Sequence, residues 1–227
     1  MQQTSCQESF RLGPDGIYRC EAFQEFVWQK HGFGTRDGNP AADVTLRQIH
    51  SDRVVNANGL RDREREGDAL VTDEIGRSIG IRTADCVPIL MLDAKNRAVA
   101  AVHAGWRGTA AGVVAQAIGR MRSDFGTDPQ DIYAALGPCI RGCCYEVGQE
   151  VAEHFEAGTL QPASGATGKH RLNLAQANRR QMETAGVYPE RIFDCDLCTT
   201  CQSAQFFSYR REPENPGRMM ASISRLA

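Results

Sequence analysis

An α/β fold is what the sequence predicts, on three observations. Val87 to Leu92 and Ala98 to Val102 are apolar, β-prone runs separated by the polar stretch Asp93-Ala94-Lys95-Asn96, the pattern of a β-hairpin. Thr109 to Phe125 then places Val113, Val114, Ala117, Ile118 and Met121 on one side of a helix that Gly126 ends. A short apolar strand, Asp131 to Leu136, follows, so strands and helices alternate through the middle of the chain.

The flanking segments are read in the same way. Gly13-Pro14-Asp15-Gly16 is a turn, with Phe23, Phe26 and Val27 as apolar anchors behind it. Gly32 to Pro40 is a glycine-rich loop without the spacing of a nucleotide fingerprint. Val44 to Val55 alternates β-branched residues around His50, which predicts a strand or bent strand pair. Arg61 to Glu66 is a solvated charged run, and Asp68 to Thr72 and Ser78 to Arg82 are strands that lead to the hairpin. Gly137 to Glu146 forms a tight loop into a helix over Val147 to Phe155, and Gly158 to Gly168 is a mobile excursion. Asn173 caps a helix that runs to about Ala185 and stops at Gly186. Phe206 to Arg211 and Met220 to Ile223 form a closing hairpin around Glu212 to Gly217.

With 227 residues and 41% hydrophobic content, the chain can bury a large core and act as an enzyme by itself. Its formal net charge of -2, with both signs interspersed, gives no nucleic-acid stripe and no membrane-surface face. Met1 to Phe10 lacks the apolar core of a signal peptide, so a cytoplasmic protein with a small-molecule partner is expected. Nine cysteines are an odd count without a secretory signal, which points to thiols or metal ligands rather than a disulfide framework.

The chemistry concentrates at the open end of the hairpin. With Ala94 and Lys95 as its loop, Cys86 and His103 fall opposite each other, at a Cβ separation of about 4.5 to 5.5 Å. The loop lacks Asn-Gly, so a bulged turn is the alternative. Ala104-Gly105-Trp106-Arg107-Gly108 comes next, and free N–H groups at a helix start beside Arg107 make a seat for an oxyanion or phosphate. Each residue alone fits a structural role; the paired thiol and imidazole beside an anion seat point to an active site. Adding His50 gives a three-ligand set that leaves zinc a fourth position, whereas Cys86 as nucleophile with His103 as base makes a metal-free dyad. Spacing does not separate the two. Arg47 and Gln48 stand beside His50 as contacts for a polar ligand, and of Arg210 and Arg211 at most one faces a pocket. Cys195, Cys198 and Cys201 have a spacing that could hold zinc or, with a fourth thiolate, an iron–sulfur cluster. Reduced thiols near the core are preferred here, as they are for Cys139, Cys143 and Cys144, because adjacent cysteines point in different directions.

RQIH at Arg47 to His50, GDALVT at Gly67 to Thr72, TADCVPIL at Thr83 to Leu90, HAGWRG at His103 to Gly108, GPCIRGCCYEV at Gly137 to Val147 and FFSYRR at Phe206 to Arg211 resemble the YfiH, or laccase-domain, family. The resemblance spans nearly the whole chain and implies one catalytic domain over residues 1–227. Mixed β-sheets flanked by helices are expected, similar to the catalytic domain of cytotoxic necrotizing factor. It further implies zinc held by His50, Cys86 and His103, and a purine nucleoside phosphorylase with adenosine deaminase and S-methyl-5'-thioadenosine phosphorylase activities. The partners would be a purine nucleoside and phosphate, with Arg107, Arg211 and Arg47 as anion contacts, and the protein a monomer or homodimer. Ser51 stands where the family usually has glycine and Asn173 where it usually has aspartate. The family's older label is a multicopper polyphenol oxidase. His31, His50, His103, His154 and His170 are too few for a trinuclear copper cluster and a blue-copper site together, so copper ranks below zinc. Amide cleavage in a peptidoglycan precursor and a zinc-binding module without turnover are the other readings.

Overall fold

A turn at Gly16, whose φ of 72° is left-handed, joins the first two strands, β1 (Phe10–Leu12) and β2 (Tyr18–Cys20). β3 (Gln29–Phe33) and β4 (Val54–Asn56) are separated by a long irregular segment that carries His50. β5 (Ala69–Thr72), β6 (Ser78–Thr83), β7 (Val87–Asp93) and β8 (Val99–Ala104) then follow with short connections. Two helices come next, α1 (Trp106–Ala110) and α2 (Val113–Phe125), before β9 (Ile132–Leu136) and the two-residue β10 (Glu146–Val147). α3 (Gln149–Ala152), β11 (Leu160–Pro162), β12 (His170–Leu172), α4 (Leu174–Thr184), β13 (Ile192–Asp194) and β14 (Met219–Arg225) complete the chain. This computed structural model describes residues 9–163, 168–214 and 217–227. The polar stretch 1–8, residues 164–167 of the glycine-rich excursion and residues 215–216 of the closing turn lie outside the described residues, with the expectations placed on them.

Among the described residues there are three sheets: a mixed six-stranded sheet ordered β13-β9-β7-β8-β5-β4, a five-stranded sheet ordered β1-β2-β3-β14-β6, and a small sheet ordered β10-β12-β11. Both faces of β7 and β8 are covered, so their sequences read as continuous apolar runs rather than as an alternation. Ile89, Met91, Ala100 and Val102 pack against Val113, Val114, Ala117 and Met121 of α2. Leu90, Leu92, Val99 and Ala101 face Phe33, Ile79, Ile81 and Ile223 of the five-stranded sheet. Each Val, Leu, Ile, Met or Phe side chain among them that is fully removed from water contributes roughly 1.5–3 kcal/mol before chain entropy is counted. No helix among the described residues is long and apolar enough to cross a membrane.

Several local expectations give way to the tertiary structure. The β7–β8 loop holds four residues, because the Asp93 carboxylate accepts from the backbone N–H groups of Lys95 and Asn96 and from the Asn96 amide, while Arg97 closes the turn at φ 59°. His103 therefore pairs with Pro88 rather than with Cys86. The slip is two residues, and a side-chain period of two leaves Cys86 and His103 on the same face. The helix expected over Thr109 to Phe125 breaks at Gly112, where φ is 82°. Val147 to Phe155 yields only the single turn of α3, since Val147 is held in the small sheet. Val44 to Val55 forms isolated bridges before β4, not a strand pair. Phe206 to Arg211 is irregular; β14 has both edges occupied by β3 and β6, so no closing hairpin forms. Asn173 caps α4 as expected, accepting from the Gln176 N–H at 3.1 Å, and Val27 is exposed rather than an anchor.

Candidate functional site

The site sits where the six-stranded sheet meets the five-stranded one, and Asp68 organises it. Asp68 immediately precedes β5 and is fully buried. Its carboxylate accepts from the backbone N–H groups of Ile49 (3.3 Å), His50 (3.0 Å) and Ser51 (2.6 Å), from the Ser51 hydroxyl (2.7 Å), and lies 2.8 Å from Nδ1 of His103. These contacts hold His50 at φ 59°, a left-handed conformation uncommon for a residue other than glycine. They also assign the His103 tautomer, since an ionised carboxylate can only accept and Nδ1 must carry the proton. Nε2 of His103 is left for the thiol of Cys86. His50 completes the group, its ring lying edge-on to His103 with centroids 5.0 Å apart.

The donor atoms of His50, Cys86 and His103 all lie within 4.8 Å of one another. Gly105 makes this possible: a Cβ there would stand 3.0 Å from Cys86 Sγ and 3.2 Å from His50 Cδ2. Burial alone would raise the Cys86 thiol, but hydrogen bonds and charge from His103 and His50 bring it down to about 6. Burial likewise opposes charge on His103, yet Asp68 and Cys86 outweigh it and lift the imidazole to about 9. For Asp68, the donors from His103 and Ser51 overcome burial and hold the carboxyl at about 2. Without metal the centre is therefore a thiolate–imidazolium pair anchored by a carboxylate. A preformed thiolate, an imidazole with its second nitrogen oriented by a carboxylate, and a further imidazole match the donor set of a catalytic zinc site.

The centre opens into a cavity of about 660 Å³ walled by Trp106, Tyr145, Tyr209, Ile140 and Leu174. Five arginines line it, Arg63, Arg82, Arg107, Arg210 and Arg218, against one acid, Asp85. Asp85 is itself committed to Thr199 (2.6 Å), Ser208 (3.1 Å) and the Arg210 N–H (2.7 Å). The Arg107 guanidinium lies 4.4 Å over the Trp106 ring, but α1 is only five residues long, so the anion seat rests on the arginine more than on a helix dipole. Gln48 reaches the wall with its amide locked in a pair of 2.8 Å bonds to the Arg82 backbone. Two expected contacts are elsewhere. Arg47 is largely exposed, 3.9 Å from Glu66, and Arg211 donates to the carbonyls of Thr199, Thr200 and Phe206. Of the arginine pair it is Arg210 that faces the cavity, because the turn through Ser208 and Asp85 replaces the expected strand.

Sequence reasoning passed over Asp68, although an acid immediately before the apolar run Ala69-Leu70-Val71 was a usable signal. It also separated thiols that the fold joins. Cys143 and Cys144 do not point apart: in a turn their Sγ atoms are 3.7 Å from each other, and with Cys198 and Cys201 all four lie within 4.8 Å. Cys195 is buried away from them, 3.8 Å from Arg141. The remaining histidines are dispersed: His31 bonds Gln29 and the Cys20 N–H, His154 stacks on Trp106, and His170 meets Gln149.

Fold and site define a mixed α/β protein whose thiolate–imidazole centre lies at the foot of an arginine-lined cavity. The chain belongs to the laccase-domain, YfiH-type family, whose description, "Multi-copper polyphenol oxidoreductase laccase", matches residues 32–226. It is 41% identical over 161 residues to a purine nucleoside phosphorylase of Bacteroides thetaiotaomicron, covering 69% of this chain and 60% of that protein. Over 196 residues it is 40% identical to an adenosine deaminase of an unknown prokaryotic organism, covering 80% of this chain and 74% of that one. The chain thus spans about three fifths of the length of the Bacteroides relative. Among solved structures, YlmD of Geobacillus stearothermophilus superposes with a TM-score of 0.84 at 30% identity, over 96% of this chain and 99% of that chain. YfiH of Bacillus licheniformis superposes with a TM-score of 0.85 at 28% identity and the same coverage.

Proposed function

We propose that residues 1–227 work as one catalytic domain, a purine nucleoside phosphorylase that also deaminates adenosine and cleaves S-methyl-5'-thioadenosine. The observation that carries this reading is the convergence of His50, Cys86 and His103 beneath a cavity whose charge is dominated by arginine. Such a cavity suits a neutral nucleoside together with an anionic second substrate. Relatives named for the two reactions support it.

His50, Cys86 and His103 would hold zinc, which supplies Lewis acidity and lowers the pKa of water. The chain's own residues do the rest. Asp68 keeps the His103 proton on Nδ1, so that Nε2 stays a donor of electrons toward the centre. Tyr145 and Tyr209 offer ring faces to a purine, Trp106 carries the Arg107 guanidinium on its ring, and Arg107 with Arg210 binds and orients phosphate for in-line approach to the ribose anomeric carbon. The apolar wall of Ile140 and Leu174 reduces access of competing water. Eight free cysteines among the described residues suit a reducing, cytoplasmic setting. Copper oxidase chemistry is less well served, because His31, His154 and His170 stand apart from the centre.

The test is product analysis with zinc-loaded protein, inosine or adenosine, and phosphate supplied or withheld. Free base and ribose 1-phosphate should form only with phosphate present, and inosine from adenosine in either case. Intact nucleoside under both conditions, with zinc bound, would overturn the reading. Release of an amino acid from a muramyl nucleotide would replace it with precursor editing.

A further inference from the structure

Besides the His50 centre, the fold assembles a second group of metal-ligating side chains from two loops far apart in sequence. Cys143 and Cys144 lie in the turn between β9 and β10, and Cys198 and Cys201 in the turn after β13. Their Sγ atoms stand 3.7 Å apart for Cys143 and Cys201, 3.7 Å for Cys143 and Cys144, and 3.3 Å for Cys144 and Cys201. Four thiolates around zinc at about 2.3 Å form a tetrahedron with edges of about 3.8 Å. The observed spacing approaches that figure and exceeds a disulfide bond of about 2.05 Å. Thiolates around a four-iron cluster stand apart by the width of the cluster, beyond the 4.8 Å limit met here. We infer that Cys143, Cys144, Cys198 and Cys201 form a tetrathiolate site for one zinc ion, separate from the centre at His50.

The surroundings fit a structural ion. All four protein positions are thiols, leaving no open position for substrate. Arg171 and Arg141 line the depression beside Cys143 and Cys198, with Arg141 paired to Asp194 and Asp196, so the two negative charges of a four-thiolate zinc would be met mainly by Arg171. The loops it would tie together build the catalytic cavity. Tyr145, next to Cys144, is part of the wall, and Thr199, next to Cys198, holds Asp85 one residue before Cys86. The site would thus brace the cavity without touching substrate, and it does not depend on the phosphorylase reading.

Metal analysis of protein purified under reducing conditions tests this. The wild type should carry about two zinc equivalents, and the His50→Ala/Cys86→Ala variant about one, since only the histidine-containing site is dismantled. Adding Cys198→Ser and Cys201→Ser should remove the remainder. In case that variant does not fold, alkylation of the His50→Ala/Cys86→Ala protein provides an independent reading. Its exposed Cys143 and Cys201 should react with iodoacetamide at least about tenfold faster once zinc is stripped by a chelator, because a metal-bound thiolate is shielded. Cobalt(II) added to the stripped protein should give thiolate-to-metal absorption that persists without His50 and Cys86. The inference is overturned by zinc-free His50→Ala/Cys86→Ala protein whose thiols react equally fast with and without chelator, or by a Cys144–Cys201 disulfide in peptide maps of the purified protein.

Discussion

Asp68→Asn is the substitution that separates the organising role of this carboxylate from simple burial. The wild-type side chain accepts five hydrogen bonds, four from residues 49–51 and one from His103. An amide keeps one accepting oxygen, with room for about two donors, and turns an NH₂ group toward the others. At least two of these donors, most of them part-buried, lose their partner at about 1–3 kcal/mol each, so the metal-free protein should lose about 2–6 kcal/mol of stability. The second effect is on the centre itself. Where the amide donates to His103 Nδ1, the imidazole proton moves to Nε2 and blocks the nitrogen that faces Cys86. Losing the oriented imidazole and the tethered His50 should weaken zinc binding by about 10–100-fold. Urea unfolding of metal-free protein and chelator competition for zinc measure the two effects separately. An Asp68→Asn protein with an unchanged urea midpoint and an unchanged zinc dissociation constant would refute the reasoning.

Gly105→Ala should leave the fold intact, because the glycine has an ordinary extended φ of -76°, yet its Cβ enters the space between Cys86 and His50. Zinc affinity should fall at least about tenfold with little change in unfolding temperature, read by calorimetry and metal analysis. Arg107→Ala should raise the KM for phosphate roughly 10–100-fold, the loss of a charge-assisted contact of about 1.5–3 kcal/mol, while adenosine deamination changes less. Equal losses in both reactions would show that Arg107 shapes the pocket instead. His31 supplies a pH dependence. Burial, helped by the charge of Arg19, pushes it from 6.5 to about 3, so the unfolded chain binds its proton first as pH falls. Stability should be level above pH 6.5 and decline below it, by about 2 kcal/mol at pH 5, and His31→Gln should flatten that slope in urea titrations.

Residue types and local periodicity determined much of this protein by themselves. The apolar runs of β7 and β8, the strands β5, β6 and β9, and the Asn173 cap of α4 were legible because propensity and burial act there within a few residues. The placing of Cys86 and His103 on one face was legible too, though not their pairing, since a two-residue error of register leaves facing unchanged. The family motifs also lay in the sequence, and residues 32–226 match that family. What only the tertiary structure decided depends on groups brought together across the chain. The loop carrying His50 looked like a strand because its β-branched residues alternate; its N–H groups are instead satisfied by Asp68, 18 residues further on. Which arginine faces the cavity was set by Asp85, whose bond to the Arg210 N–H spans 125 residues and bends a segment that alternation read as extended. The four thiols meet because two turns 57 residues apart come into contact, a distance that no local spacing encodes.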